Sequence, residues 1–267
     1  METVTLNNGV KMPLIGFGTW ALTGRQCEAC VAAALEEGYR IIDTAEMYHN
    51  EQEVGNAISR CGIARGELFI TTKLSNQSNG YDLARKTIDE SIKKLGLDYI
   101  DLFLVHEAYS EAAGMYRALE EGYRDGRIRA IGISNFTAPR YRKLLERCQV
   151  VPAVNQMETH VYLGQEALQE TLRSHGTLLE AWAPFTQGKK QIFAEPLLFE
   201  LGKTYGKTAA QLALRYLVQR GIPVIPKSAH RERMRENLNI FDFSISEQDM
   251  DRIRSLDEGT SLFGFWG

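Results

Sequence analysis

Short apolar runs alternate with longer amphipathic segments along most of the chain. The runs have the length and composition of buried strands, and the segments between them carry apolar residues at helical spacing. This pattern predicts strands at 14–20, 40–43, 68–73, 100–105, 128–134, 153–157, 178–182 and 223–226. It predicts helices at 24–37, 51–60, 82–95, 111–124, 137–147, 164–174, 195–204, 208–220, 230–238 and 246–257.

Eight strand–helix units of this length predict an α/β fold, a closed (β/α)8 TIM barrel, rather than an open sheet. Residues 3–6 and 10–13 flank Asn7-Asn8-Gly9, which predicts an N-terminal β-hairpin that plugs the N-terminal end of the barrel. The helix at 246–257 is an extra C-terminal element that begins at Ser246. Because no linker interrupts the pattern, we expect a single domain over 1–267.

The composition suits this fold and excludes several partners. The chain has 267 residues, of which 44% are hydrophobic and 24% charged, enough for a large core. A net charge of −3 gives no basic surface for nucleic acid or an anionic membrane. No apolar run has the length of a membrane span, and the first residues do not begin a signal peptide. We therefore expect a cytoplasmic monomer that acts on a small molecule.

The cysteines and histidines do not predict a metal site. Cys27 and Cys30 have redox spacing, but they lie in a helical pattern without the strand and turn of a redox motif. The five histidines show no paired spacing. We expect structural thiols and no metal.

Polar and aromatic residues follow the predicted strands. In a (β/α)8 barrel the carboxyl ends of the strands form the site. Any one such residue would ordinarily be explained by contact with solvent, but here every strand ends on one. They are Thr19, Trp20, Asp43, Lys73, His106, Ser134, Asn135, Gln156, Glu158, Trp182, Lys227 and Ser228.

Asp43, Lys73 and His106 form an acid–base set with Tyr48, which the loop after Asp43 returns to the same opening. Lys73 beside Tyr48 would favour the phenolate by about 4 kcal/mol at about 4 Å, before desolvation, which predicts a lowered phenol pKa. Asp43 would hold Lys73 charged. A phenol and an imidazole directed at one oxygen suit protonation of a carbonyl that receives a hydride.

A cofactor has to supply that hydride, because no side chain can. No Gly-x-Gly-x-x-Gly follows a strand, which argues against a Rossmann domain. Trp182 offers a face for a nicotinamide, and Ser134, Asn135 and Gln156 suit its carboxamide. Lys227, Ser228 and Arg233 offer a cationic phosphate site, which favours NADPH over NADH.

These residues lie in motifs that resemble the aldo-keto reductase family over essentially the whole chain. The motifs are GFGTW at 16–20, DTAEMYHNE at 43–51, TKL at 72–74, GISNF at 132–136, NQMETH at 155–160 and IPKS at 225–228. The length is similar to that of the bacterial branch that reduces diketo-gluconate and small aldehydes.

The resemblance implies an NADPH-dependent carbonyl reductase that uses NADPH/NADP+, with Tyr48 as the proton donor. It implies a catalytic tetrad of Asp43, Tyr48, Lys73 and His106. It implies a cofactor site at Ser134, Asn135, Gln156 and Trp182, with Lys227, Ser228 and Arg233 at the 2′-phosphate and Glu236 and Asn237 at the adenine. From their places in the chain we also expect Gly18 and Thr19 in the cofactor site, and Trp20, Met47, Glu107 and Trp266 around the substrate pocket.

The chain departs from the family pattern at three places. Glu107 replaces the Trp that usually follows the catalytic histidine, and the loop after His106 is shortened. We hypothesise that both changes open the pocket and disfavour carboxylate-bearing substrates. Ala183-Pro184-Phe185-Thr186 replaces the usual Ser-Pro-Leu-Gly beside the predicted pyrophosphate path.

Two other functions use the same features. A regulatory or structural barrel would keep the cofactor site and lose turnover, although the intact tetrad argues against it. A barrel lyase or isomerase would use Lys73 as a Schiff-base amine. Trapping with borohydride separates this second alternative from a reductase.

Overall fold

The computed structural model describes residues 2–264 as a barrel of parallel strands surrounded by helices. The strands are β1 Thr3–Thr5, β2 Lys11–Pro13, β3 Gly16–Gly18, β4 Ile41–Asp43, β5 Phe69–Leu74, β6 Ile100–Val105, β7 Ile128–Ser134, β8 Val154–Glu158 and β9 Leu178–Trp182. The helices are α1 Gly24–Glu37, α2 Glu51–Arg60, α3 Tyr81–Leu95, α4 Ala112–Arg124, α5 Ala138–Leu145, α6 Glu166–Arg173, α7 Pro196–Tyr205, α8 Ala209–Gln219, α9 Arg231–Leu238 and α10 Glu247–Arg254.

Strands β3 to β9 pair in chain order, all in parallel. Val224 closes the ring by bridging to Ile15 on one side and Ala181 on the other. The predicted eighth strand at 223–226 is reduced to this bridge, because Pro223 and Pro226 have no N–H to donate to a neighbouring strand. The predicted (β/α)8 barrel is confirmed, with an eighth side that is shorter than a regular strand.

The N-terminal hairpin is present and covers one end of the barrel. Strands β1 and β2 pair antiparallel, and the turn side chain Asn8 donates to the carbonyl of Arg129 at 2.8 Å. Leu6 and Met12 pack into an apolar cluster inside the ring, together with strand residues such as Leu102. The hairpin therefore closes the end opposite the carboxyl ends of the strands.

The local sequence explains where several helices begin and end. Helix α1 stops at Gly38, whose φ of 112° is left-handed, and α3 stops at Gly96 with φ 64°. Ser246 begins α10, where its hydroxyl accepts from the N–H of Asp249 at 3.2 Å. Helices α5, α6 and α10 are shorter than predicted. No glycine in a left-handed cap marks their ends, so the sequence contains no signal for where to stop them.

All four cysteines are free thiols. Cys27 and Cys30 are buried on α1, and burial raises the pKa of Cys27 to about 12. Over residues 2–264 there is no cluster of three or more His, Cys, Asp or Glu side chains placed to hold a metal ion. The same residues contain no helix long and apolar enough to cross a membrane.

Candidate active site

The barrel brings the four predicted acid–base residues together at the carboxyl ends of its strands. Asp43 ends β4, Lys73 lies in β5, and His106 follows β6. Lys73 Nζ donates to Asp43 Oδ1 at 2.6 Å and lies 5.1 Å from the ring centroid of Tyr48. The rings of Tyr48 and His106 meet edge to face, with centroids 5.6 Å apart. The structure therefore brings the four side chains together at one opening of the barrel.

Burial and charge set the protonation states of Lys73 and Tyr48. Burial alone would lower the pKa of the Lys73 ammonium, but the charge of Asp43 and the neighbouring phenol raise it overall. The pKa of Tyr48 is also raised, because burial of its hydroxyl outweighs the opposing charge of Lys73. The predicted lowering of the phenol pKa is wrong, and the site holds a charged lysine beside a protonated phenol.

His106 is a neutral imidazole. Burial, with a smaller contribution from the charge of Lys73, lowers its pKa well below the ordinary value. Its Nδ1 is buried and has no hydrogen-bond partner among the described residues. A neutral imidazole retains one N–H that can donate to a ligand.

Two exposed apolar side chains flank Tyr48. Trp20 packs edge to face on the phenol ring at 4.9 Å between centroids and is 46% exposed. Met47 is 40% exposed and adjoins Tyr48 in the chain. Two of the predicted pocket residues therefore lie at the mouth. The third, Trp266, lies outside the described residues.

A buried carboxyl group that the sequence reasoning missed lies behind the tetrad. Gln156 Nε2 donates to Asp43 Oδ2 at 2.9 Å and to Glu180 Oε2 at 2.8 Å. Burial, followed by the charge of Asp43, raises the pKa of Glu180 to about 8. Its signal was a charged residue inside the apolar run 178–182, whereas our prediction selected Trp182, the last residue of that run.

Asn135 connects the fourth predicted pocket residue, Glu107, with Trp182. Its Nδ2 donates to Glu107 Oε1 at 2.7 Å and to the carbonyl of His106 at 3.2 Å. Its Oδ1 accepts from Trp182 Nε1 at 2.8 Å. Asn135 also has a left-handed φ of 64°, which turns the chain sharply after β7. The side chain is thus held on both sides.

The short loop after His106 contributes a second missed residue. Tyr109 lines a cavity of about 260 Å³ with Phe136 and Arg140. Burial raises the pKa of its phenol, and the charge of Glu107 adds to the shift. Tyr109 therefore puts an aromatic ring next to the position where the family usually has Trp.

Two of the residues predicted to bind phosphate, Lys227 and Arg233, are exposed cations that form no ion pair among the described residues. On α9, Arg231 and Arg235 pair with Glu36 and Glu37 at 2.8 and 2.9 Å. Arg233 lies on the same helix. Ser228 begins the turn to α9 and accepts from the N–H of His230 at 3.0 Å.

Other predicted cofactor residues shape this edge of the barrel. A Cβ on Gly18 would lie 2.9 Å from the carbonyl oxygen of Ile225, so only glycine allows this approach. Thr19 Oγ1 donates to the carbonyl of Asp43 at 2.9 Å, and Ser134 Oγ donates to the carbonyl of Gln156 at 2.9 Å. An open edge with two unpaired cations fits the phosphate end of a dinucleotide, the group that the sequence predicts here.

The two predicted adenine residues are engaged within the protein. Glu236 Oε1 accepts from Thr208 Oγ1 at 2.5 Å. Asn237 is buried beside Tyr39. A contact between either side chain and an adenine stays a prediction.

The C-terminal segment lies over the same opening. Leu262 N donates to Glu158 Oε1 at 2.8 Å, and the ring of Phe263 meets that of Trp182 at 5.0 Å between centroids. Glu158 also bonds to His160 Nε2 at 3.1 Å, and both side chains are fully buried. This pair joins the C-terminal segment to the loop after β8.

Comparisons with known proteins agree with this architecture. The sequence pattern of the Aldo/keto reductase family matches residues 14–258. Glyoxal reductase from Bacillus subtilis is 42% identical over 96% of this chain and 93% of its own length. An aldo-keto reductase from a Medee basin deep-sea metagenome library superposes with a TM-score of 0.95 at 42% identity, covering 97% of this chain and 96% of that one.

A Bombyx mori aldo-keto reductase, solved in complex with NADP, has a TM-score of 0.92 at 31% identity, over 98% of this chain and 94% of its own. The agreement extends over nearly the full length in both sequence and fold. The chain belongs to the aldo/keto reductase family.

Proposed function

We propose that this protein is an NADPH-dependent reductase of aldehydes and ketones, with Tyr48 as the general acid. The single observation that carries the proposal is the buried Lys73–Asp43 ion pair, with an Nζ–Oδ1 distance of 2.6 Å, set beside a protonated phenol and a neutral imidazole. This set can give a proton to an oxygen and stabilise the phenolate that remains.

The residues of the tetrad would divide the work. Tyr48 would donate its proton to the carbonyl oxygen, and His106 would donate a hydrogen bond that orients the same oxygen. The Lys73 ammonium would stabilise the negative charge left on the phenol, since two charges about 4 Å apart in a partly shielded site attract by about 4 kcal/mol. Asp43, which Gln156 also binds, would keep Lys73 charged and in place.

The cofactor proposal rests on the donor set and on the relatives. Lys227, Ser228 and Arg233 would hold the 2′-phosphate, and Trp182 would face the nicotinamide. NADPH, when bound, supplies the hydride. A relative solved with NADP supports this choice, as do the two cations without ion pairs among the described residues.

We propose small neutral aldehydes as the favoured substrates. The glyoxal reductase relative acts on a small aldehyde by name. Glu107 would place an acid where an acidic substrate would approach, and the short loop leaves the mouth open. Trp20, Met47 and Tyr109 would supply apolar walls.

Oxidation of NADPH at 340 nm tests the proposal, with a nitrobenzaldehyde, methylglyoxal, a diketo acid and a bulky ketone as substrates. We expect turnover by the wild type and a loss of at least about a hundredfold in kcat/KM for Tyr48→Phe, because the variant lacks the proton. Tight NADPH binding without turnover would instead favour a regulatory barrel.

A separate experiment tests the alternative in which Lys73 forms a Schiff base. Lys73 is charged and held by Asp43, whereas imine formation requires a neutral amine. Borohydride added with a carbonyl substrate, in the absence of NADPH, should leave the protein mass unchanged. Covalent capture at Lys73 would overturn the reductase proposal.

A further inference from the structure

Glu107 is a carboxylate that the family pattern does not contain, and it is hydrogen-bonded to a residue of the proposed nicotinamide site. Its carboxylate is directly bonded to Asn135, at 2.7 Å from Nδ2, and Asn135 is bonded in turn to Trp182 at 2.8 Å. Under the proposed function, Asn135 would hold the nicotinamide carboxamide and Trp182 would lie against the ring. Glu107 is therefore one side chain removed from both groups that would position the ring.

The surroundings leave this charge largely uncompensated. On its own loop Glu107 faces the phenol of Tyr109, and across the mouth it faces that of Tyr48. From β7 it receives the neutral amide of Asn135, and from α5 the only cation acting on it is Arg140, which is exposed and forms no hydrogen bond to it in the described structure. A charge placed close to Glu107 would therefore interact with it strongly.

The two redox states of the cofactor differ in just such a charge. The nicotinamide ring carries a positive charge in NADP+ and none in NADPH, while the phosphates and the adenine are the same. Building on the proposed function, we propose that the Glu107 carboxylate distinguishes the two redox states of the cofactor and stabilises bound NADP+ more than bound NADPH. While Glu107 is ionised, this preference would raise the share of the protein that holds NADP+ rather than NADPH.

The charge of Glu107 changes near neutral pH. Burial raises the pKa of this carboxyl to about 7, with Asn135 and Arg140 opposing the shift. The carboxylate is then the major form above about pH 7 and the neutral acid below it. Preference for NADP+ should therefore increase with rising pH and fade with falling pH.

Equilibrium binding of each cofactor, without substrate, tests this inference. The dissociation constants of NADP+ and NADPH would be measured by calorimetry and by tryptophan fluorescence, from about pH 6 to about pH 8.5. Their ratio is the informative quantity, because ionisation of the shared 2′-phosphate cancels in it. The variant is Glu107→Gln, and the matched control is Glu111→Gln, an exposed glutamate in the same loop.

For the wild type we expect the ratio Kd(NADPH)/Kd(NADP+) to rise about tenfold as pH increases through about 7, a size typical of two charges separated by one side chain. Glu107→Gln should keep the low-pH ratio throughout, and Glu111→Gln should behave as the wild type. A ratio independent of pH in the wild type, or unchanged by Glu107→Gln, would overturn the inference alone. Failure of the wild type to bind either cofactor would overturn the proposed function and this inference together.

Discussion

Asp43 and Lys73 illustrate how strongly a single residue in this site depends on its partner. Both side chains are almost fully buried, and Lys73 also donates to the carbonyl of Thr44 at 2.9 Å. Removing one member of such a pair leaves a buried charge without compensation, which typically costs about 3–5 kcal/mol. The pair thus links the chemistry of the site to the stability of the barrel.

We predict that Lys73→Met lowers the free energy of unfolding by about 3–5 kcal/mol, because Asp43 loses its counter-ion. The double variant Asp43→Asn, Lys73→Met should cost clearly less than the sum of the two single changes. Urea unfolding followed by circular dichroism measures the free energy of unfolding of the two single variants and of the double variant. Additive losses would mean that the ion pair contributes little to stability.

Glu107 gives a second prediction at the residue scale, about substrates. Its pKa of about 7 makes it an anion above neutral pH, so wild-type discrimination against acidic aldehydes should strengthen as pH rises through about 7. In Glu107→Gln the discrimination should be weaker and independent of pH. The measurement is kcat/KM for a carboxybenzaldehyde divided by that for a nitrobenzaldehyde, since the ratio removes shared effects of Tyr48. An identical ratio in both proteins would refute the idea.

Asp43, Lys73 and His106 could be grouped from sequence because each ends or follows an apolar run, and parallel strands in a barrel share one mouth. Glu180 could not, since its side chain points into the barrel from within β9 and meets Gln156 only once the ring closes. Tyr109 was missed for a similar reason. Its position depends on the course of a loop that has no periodic pattern.

At the scale of an element, the segment after β9 departs most from ordinary backbone geometry. Ala183, Thr186 and Gln187 all have left-handed φ values, of 50°, 60° and 47°. Thr186 stands where the family usually has glycine, and a β-branched residue is the least suited to this region. Its buried hydroxyl offsets the strain by bonding to the carbonyl and N–H of Lys190, both at 3.2 Å.

We predict that Thr186→Ala lowers the free energy of unfolding by about 1–3 kcal/mol, because it loses these bonds and keeps the strained φ. Thr186→Gly should be more stable than the alanine variant by about 1 kcal/mol, because glycine adopts a left-handed φ freely. Thr186→Ser, which keeps the hydroxyl, is the matched control and should be closest to the wild type. Chemical denaturation ranks the three, and an alanine variant more stable than the glycine variant would contradict this account.

Element ends were predicted best where a specific residue enforces them. The bounds of α1 and β6 match the prediction, and Gly38 stops α1. Helices α5 and α6 were predicted too long, because their polar ends continue the helical pattern without a stop signal. The eighth strand was read from an apolar run, although its prolines prevent regular pairing.

At the scale of the whole molecule, the order of eight units and the hairpin signal at 7–9 were sufficient to predict the barrel and its plug. The pattern could not supply the contact between the C-terminal segment and the barrel. Leu262 reaches Glu158 across a separation of 104 residues, and no local signal encodes such a contact. The candidate site lies at one end of the barrel, and the hairpin lies at the other.

Because of this separation, we predict that a substitution in the hairpin lowers stability without lowering activity. Met12 is fully buried in the cluster inside the ring, at the end opposite the tetrad. Met12→Ala should lower the free energy of unfolding by about 2–5 kcal/mol through lost burial and a residual cavity. The kcat/KM for aldehyde reduction, measured well below the melting temperature, should stay within about twofold of wild type, because the change creates no new charge or contact near Tyr48. Lys11→Ala, exposed on the same strand, is the control and should alter stability by less than about 0.5 kcal/mol. A large fall in kcat/KM for Met12→Ala in the folded enzyme would instead mean that the hairpin supports the geometry of the site across the length of the barrel.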